Sequence, residues 1–264
     1  MSNRYYTDQI ISSSLSSSSG SLGFIELHGG EAHHLSRVCR HQIGEEIVLF
    51  DGFGSEAKTR IDYINKSSVT LSIISLEEID RELGLPLHLV VSAPKADRMD
   101  YLIEKLTELG VSDLTWLITE RTVVIPALNK AEKWQRQVIE ASKQCGRNCL
   151  MKIHQAIELT TFLSQKREYA LRGIAHPKGI GLSTLMKKVS SEPQQNSTNI
   201  SWNQLWPNGI TFLIGPEGGF TEREVTMAIE QQYQPISLGK RILRIETAAT
   251  YLASWVGSQI ENED

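Results

Sequence analysis

Two segments in the C-terminal third carry residues whose types and spacing suit ligand binding and group transfer. In Thr211–Phe220, TFLIGPEGGF, an apolar run ends in Gly215, Pro216, Glu217, Gly218 and Gly219. Glycines permit positive φ and close backbone approach to a ligand. TEREV follows, and Thr221 with Glu224 has the spacing of a capping box that opens a helix. A strand, a glycine loop and a helix in that order set a small-molecule cradle beyond a strand's carboxyl end, where ligands of open α/β sheets sit. A tight structural turn would use the same residues. The second segment, Ile236–Thr250, reads ISLGKRILRIETAAT. A strand ends there at Leu238 and Gly239, and Lys240, Arg241 and Arg244 lead to Glu246 and Thr247. Two glycine turns at neighbouring strand ends suggest two walls of one pocket. Arg244 and Glu246 could equally form a solvated ion pair, which contributes little.

Several other chemistries lack their signatures. No GxGxxG follows the first strand of the α/β region, and there is no GxxxxGK[ST], which speaks against a dinucleotide site and a P-loop. No HExxH or paired CxxC points to zinc, and no metal is expected. His33, His34, Cys39 and His41 lie close in sequence, but their spacing fits a surface or packing role better than ligation. There is no GxSxG elbow.

The elements that must position these segments follow from patterning. Phe24–Leu27, Glu46–Phe50, Ala57–Tyr63 and Ser68–Ser75 read as short strands. Val69, Leu71 and Ile73 alternate with Thr70 and Ser72, as in a half-buried strand. Such spacing suggests a small barrel over residues 1–76, with a linker at 77–86. From Leu87 the pattern changes to strands alternating with helices, which implies a mostly parallel sheet covered on both faces. Strands are expected at Leu87–Ala93, Leu114–Thr119, Tyr169–Ala175, Ile210–Gly215 and Pro235–Leu238. Helices are expected at Asp97–Leu109, Lys130–Cys145, Thr221–Tyr233 and from Glu246 onward. In the first of these Met99, Leu102, Ile103, Leu106 and Leu109 form one stripe, and Gly110 is placed to cap it. Pro177–Gly209 reads as a long excursion, partly helical around Leu182–Val189.

The 264 residues suffice for one or two domains with a real core. Composition, 40% apolar and 22% charged, is that of an ordinary globular chain. The three cysteines form no framework and fit a reducing, cytoplasmic compartment. No apolar run is long enough for a membrane span, and the serine-rich Ser12–Ser19 stretch is not a secretion signal. A net charge of −4 means that nucleic acid must be met by a local basic face. Candidates are Arg37, Arg40 and Lys58 on the barrel, and Lys133, Arg136, Lys143 and Arg147 as a helical stripe. A solvated face is the alternative for each group.

At the two glycine segments the chain resembles the RsmE-type 16S rRNA (uracil-N3)-methyltransferases of the SPOUT class. LIGPEGGFTEREV and LGKRILRIETA carry the resemblance, and HHLSRVCRHQIGEEIVLFDGFG, KADRMDYLIEKLTELGV, ERTVV and KWQRQVIEASKQCGR extend it over nearly the whole chain in order. It implies a PUA-like RNA-binding β-barrel at 1–76 and a SPOUT-type trefoil-knotted α/β methyltransferase domain at 87–264. It also implies bound S-adenosylmethionine, a homodimer, and a uridine near the 3′ end of 16S rRNA in the small ribosomal subunit as substrate. The chain departs from the family pattern at Leu150-Met151, at Ile245 and in the length of 177–209.

On that resemblance His176, Ile214, Gly215, Glu217, Gly218, Gly219, Leu238, Gly239, Leu243, Glu246 and Thr247 are expected to hold the cofactor. Uracil N3 carries a proton and needs a base, or a cation for the developing anion. Glu217 is a candidate base, although it could instead bond its own loop. Arg244 and Arg121 are the candidate cations. The final helix, with Ala248, Ala249, Leu252 and Trp255, either packs against its own domain or forms a dimer interface. Another RNA acceptor, a ribose 2′-hydroxyl or a different base, and a non-catalytic ribosome-assembly factor are the alternatives.

Overall fold

A computed structural model describes residues 3–11, 23–77, 79–165, 169–191 and 208–260. The Ser12–Ser19 stretch and the middle of the 177–209 excursion lie outside the described residues. The chain divides into two compact units, Met1–Glu82 with Ile139–Leu150, and Leu83–Val138 with Met151–Asp264.

The first unit holds strands β1 (Arg4–Tyr6), β2 (Phe24–His28), β3 (Glu46–Phe50), β4 (Glu56–Ile64) and β5 (Ser68–Glu77), in the sheet order β1-β3-β4-β5-β2. β1 runs parallel to β3, and the other pairs are antiparallel. Burial alternates cleanly in β2, with Ile25 and Leu27 inside and Phe24, Glu26 and His28 outside. All five strands send residues into one core, among them Tyr5, Leu27, Leu49, Ile61 and Leu71. Two register breaks in the β4–β5 pair bend the ladder, the usual effect of bulges. Short helix α1 (Gly29–His33) and a following turn at His34–Val38 add Ala32 and Leu35 to that core.

The second unit is a six-stranded sheet of β6 (Leu87–Ser92), β7 (Asp113–Ile118), β8 (Lys152–Glu158), β9 (Leu171–Gly181), β10 (Ile210–Ile214) and β11 (Gln234–Ser237). Its order is β11-β9-β10-β6-β7-β8, and every pair is parallel. β6 and β10 are buried along their whole length, as central strands covered on both faces must be. Helices α2 (Ala96–Glu108), α3 (Ala131–Cys145), α4 (Leu159–Ser164), α5 (Leu182–Ser191), α6 (Glu222–Glu230) and α7 (Ile245–Ile260) complete the described elements. Of the α2 stripe, Met99, Leu102, Ile103 and Leu106 are buried, while Leu109 stands half-buried just past the helix end. α7 packs on α2, β6 and β10, and Trp255 meets Phe212 edge to face at 6.3 Å. On the other face Phe162 of α4 and Val225 and Ala228 of α6 pack with Val90, Leu117 and Leu213.

Four elements escape the sequence patterning. β1 is only three residues long, α1 only five, α4 only six, and β8 is a sheet edge whose residues are at most half-buried. β9 runs on to Gly181 where a strand ending at Ala175 is expected, and α5 confirms helix inside the excursion. The continuation of β9 is possible because Gly179 carries no side chain. A Cβ there would lie 2.4 Å from the backbone nitrogen of Ile236.

Candidate functional site

Parallel strands aim their carboxyl ends at one edge of the sheet, and three neighbours open a cleft there. β9 supplies Ala175, His176 and Pro177. β10 runs into Gly215–Phe220, and β11 into Leu238–Leu243, while Ile245 and Ala248 of α7 close the floor. The cleft encloses about 340 Å³, within the range of small-ligand sites. Its two glycine loops meet as two walls, as the sequence suggests. Of the residues expected to hold a cofactor, His176, Ile214, Gly215, Glu217, Gly218, Gly219, Leu238, Gly239 and Leu243 line it.

Local chemistry explains the loop between β10 and α6. Gly219 turns at φ +66° and Gly239 at φ +112°, backbone conformations that residues with side chains rarely adopt. A Cβ on Gly215 would stand 3.0 Å from the Phe220 ring, which is buried beneath the loop. The capping box is realised. The Thr221 hydroxyl accepts from the Glu224 amide at 3.3 Å, and the Glu224 carboxylate accepts from the Thr221 amide at 2.8 Å. Glu217 is exposed at the tip.

A strap joins this loop to the segment after β7. The Arg121 guanidinium donates to the Gly218 carbonyl oxygen at 2.7 Å, and its stem would lie 3.3 Å from a Cβ on Gly218. The buried Glu224 carboxylate also accepts from the Glu120 amide at 2.9 Å. Arg121 is thus bound to the cradle's backbone rather than lining the cleft.

The second glycine segment divides differently from its sequence reading. Glu246, only 8% exposed, pairs with Arg98 of α2 at 3.5 Å and not with Arg244. Arg244 and Thr247 are exposed, and neither they nor Glu246 line the cleft. Lys240, Arg241 and Ile242 do line it. They sit in the segment singled out by sequence, but side-chain direction in a loop has no period from which to read it. Ala175 and Pro177 flank His176 and were marked only by the end of a strand.

The basic candidates separate by burial. Arg37 and Arg40 are exposed, and Lys58 is half-exposed and pairs with Glu46 at 2.6 Å. Lys133 and Arg136 are exposed on α3, with carboxylate neighbours Asp100 and Glu132. The expected stripe breaks at Lys143 and Arg147. Lys143 has 6% of its side chain exposed and bonds Glu31 and Glu140. Arg147, past the helix end, has 4% exposed and donates to Glu82 at 3.1 Å. Both charges are spent on buried pairs and are withdrawn from a polyanion, which corrects their reading as RNA contacts. Among the described residues no group of three or more His, Cys, Asp or Glu could hold a metal ion.

Comparison with known proteins agrees with this geometry. The RNA methyltransferase domain profile matches residues 81–257, and the RNA methyltransferase PUA domain profile matches 27–74. The chain is 31% identical over 238 residues to ribosomal RNA small subunit methyltransferase E of Synechocystis sp., covering 90% of this chain and 74% of that protein. It is 30% identical over 240 residues to the enzyme of the same name from Bacillus subtilis, covering 88% and 89%. Among solved structures, ribosomal RNA small subunit methyltransferase E from Neisseria gonorrhoeae bound to S-adenosyl methionine superposes with TM-score 0.79 at 29% identity, covering 97% of each chain. A methyltransferase from Legionella pneumophila in complex with the same cofactor gives 0.77 at 30% identity and 98% coverage of each.

Proposed function

The chain belongs to the ribosomal RNA small subunit methyltransferase E family, and from that premise we propose that its cleft binds S-adenosylmethionine for methylation of N3 of a uridine near the 3′ end of 16S rRNA. The observation that carries this reading is the joining of the Gly215–Phe220 and Leu238–Leu243 loops into one cleft. Two relatives hold that cofactor in their solved structures. The residues here suit it. Backbone is laid bare at Gly215, Gly218 and Gly219, and Ile214, Leu238 and Leu243 offer an apolar slot for a purine. Gly239 and His176 complete the walls. Glu246, through Arg98, holds the first turn of α7, and Thr247 stands exposed beside it.

When bound, the cofactor supplies a methyl group on a sulfonium. The chain's part is to hold the acceptor in line and to manage a proton. Glu217, exposed on the cradle, is the proposed base for the N3 proton. Arg244, exposed beside the second loop, is the proposed cation for the developing anion. Arg121 positions the cradle. The target base must leave its stack to enter such a site. Arg37, Arg40, Lys58, Lys133 and Arg136 are the proposed phosphate contacts.

The domain boundaries 1–76, 77–86 and 87–264, a deep trefoil knot in the last of them, a homodimer and a cytoplasmic location belong to the same proposal. The placing of β10 between β9 and β6, with cleft walls from the chain after β10 and β11, is compatible with the knot. Ile242, which lines the cleft yet is 90% exposed, and Val123, 85% exposed, are apolar surface that a second copy would cover. Among the described residues no helix is long and apolar enough to cross a membrane. The test is to map methylated nucleotides in 16S rRNA from cells lacking the protein and from complemented cells. One 3-methyluridine should vanish and return; an unchanged modification map would overturn the assignment.

A further inference from the structure

Cys39 sits in the first unit at the end of the His34–Val38 turn, partly exposed and unpaired with any other cysteine. Its sulfur is 3.7 Å from the His34 Nε2 atom, within reach of a hydrogen bond to sulfur. Arg37 and Arg40 are its near neighbours in sequence, and Arg40 takes the left-handed φ of +56° that a non-glycine residue seldom holds. Lys143, paired with Glu31 and Glu140, places its ammonium 5.5 Å from the Tyr5 ring centre.

A separate observation marks the spot as one that receives something. Tyr5 is fully buried, packs edge to face on His34 at 6.0 Å and on His41 at 5.9 Å, and its hydroxyl has no hydrogen-bond partner of proper geometry among the described residues. Burial first, and then the adjoining Cys39 thiol, push that phenol above its ordinary range, so it stays a donor at every physiological pH. A buried hydroxyl left without an acceptor is costly and uncommon in folded proteins.

We propose that Cys39 is a modification site: a thiol that reacts with a hydroperoxide to give a sulfenic acid whose new oxygen accepts the Tyr5 hydroxyl. His34 takes the thiol proton. The thiolate attacks one peroxide oxygen, the O–O bond breaks, and the leaving hydroxide takes a proton to become water. Sulfur loses two electrons and the peroxide gains them, so thiol plus hydrogen peroxide gives sulfenic acid plus water. Cys39 is partly exposed and has a histidine beside its sulfur as proton acceptor, the pairing that activates a thiol. The proposal rests on the first unit alone and stands apart from methyl transfer.

Cys145 and Cys149 serve as internal controls. The full-length protein is treated briefly with hydrogen peroxide, trapped with dimedone and mapped by mass spectrometry. Cys39 should be trapped about ten times faster than either control. Tyr5→Phe, which removes only the unpaired hydroxyl, should fold normally and lower the trapped fraction several-fold, and His34→Asn should slow trapping. Equal trapping at all three cysteines, or a Tyr5→Phe protein trapped like the wild type, would overturn the assignment.

Discussion

Arg121 and Gly218, 97 positions apart in sequence, are joined by a 2.7 Å hydrogen bond from guanidinium to carbonyl oxygen. That bond ties the segment after β7 to the glycine cradle that forms one wall of the cleft. A charged donor on a backbone acceptor contributes on the order of 1 kcal/mol at an exposed position. Arg121→Ala should therefore weaken S-adenosylmethionine binding about five-fold and leave the melting temperature nearly unchanged. Calorimetry beside a thermal melt checks both, and an unchanged affinity would show that the cradle keeps its shape untethered.

Glycine positions in the second unit should differ sharply in tolerance. At Gly219 a Cβ meets nothing within 4 Å, so Gly219→Ala carries only the left-handed backbone cost of about 1 kcal/mol. At Gly179 the same methyl would overlap the Ile236 backbone. Gly179→Ala should cost several times more, read as the shift in urea midpoint between the two variants.

Glu224 is buried and serves two backbone amides, those of Thr221 and Glu120. Glu224→Ala strands both donors and loses the cap, so it should cost about 2–3 kcal/mol in chemical denaturation. Thr221→Ala, which removes the hydroxyl and keeps the carboxylate's bonds to both amides, should cost about 1 kcal/mol.

In the first unit Glu56 is buried between Arg4 and Arg81. Burial alone would raise its pKa, but hydrogen bonds from the two guanidinium groups outweigh it and hold the carboxyl below the ordinary glutamate range. A folded-state pKa below the unfolded one adds stability that is present above the unfolded value and is lost as pH falls through the folded one. Acid should therefore destabilise the wild type more steeply than Glu56→Gln in melts below pH 5. The variant should be weaker at neutral pH by about 3 kcal/mol, because Arg4 is left buried without its counter-charge.

Much of this is legible in the sequence, for physical reasons. The cradle announced itself because glycine type, capping spacing and an apolar strand coincide within fifteen residues at Thr211–Val225. The α2 stripe and the β2 alternation follow from helix and strand periods. β8 gave no such signal: it is an edge strand whose side chains are at most half-buried, so polar and apolar residues mix. The pairing of Glu246 with Arg98 joins two helices that are far apart in the chain, and no local pattern encodes it. Lys143 and Arg147 looked like surface charge because sequence spacing does not show that Glu31 and Glu82 fold against them.

Titrating the purified protein with S-adenosylmethionine in a calorimeter, with Gly215→Leu as the paired variant, tests the cleft most directly. The wild type should bind one molecule per chain, and the variant, if it melts cooperatively, should bind far more weakly, because its side chain would press toward the Phe220 ring from the cleft wall. No heat with the wild type, or equal affinity in a folded Gly215→Leu protein, would contradict the placing of the cofactor between these two loops.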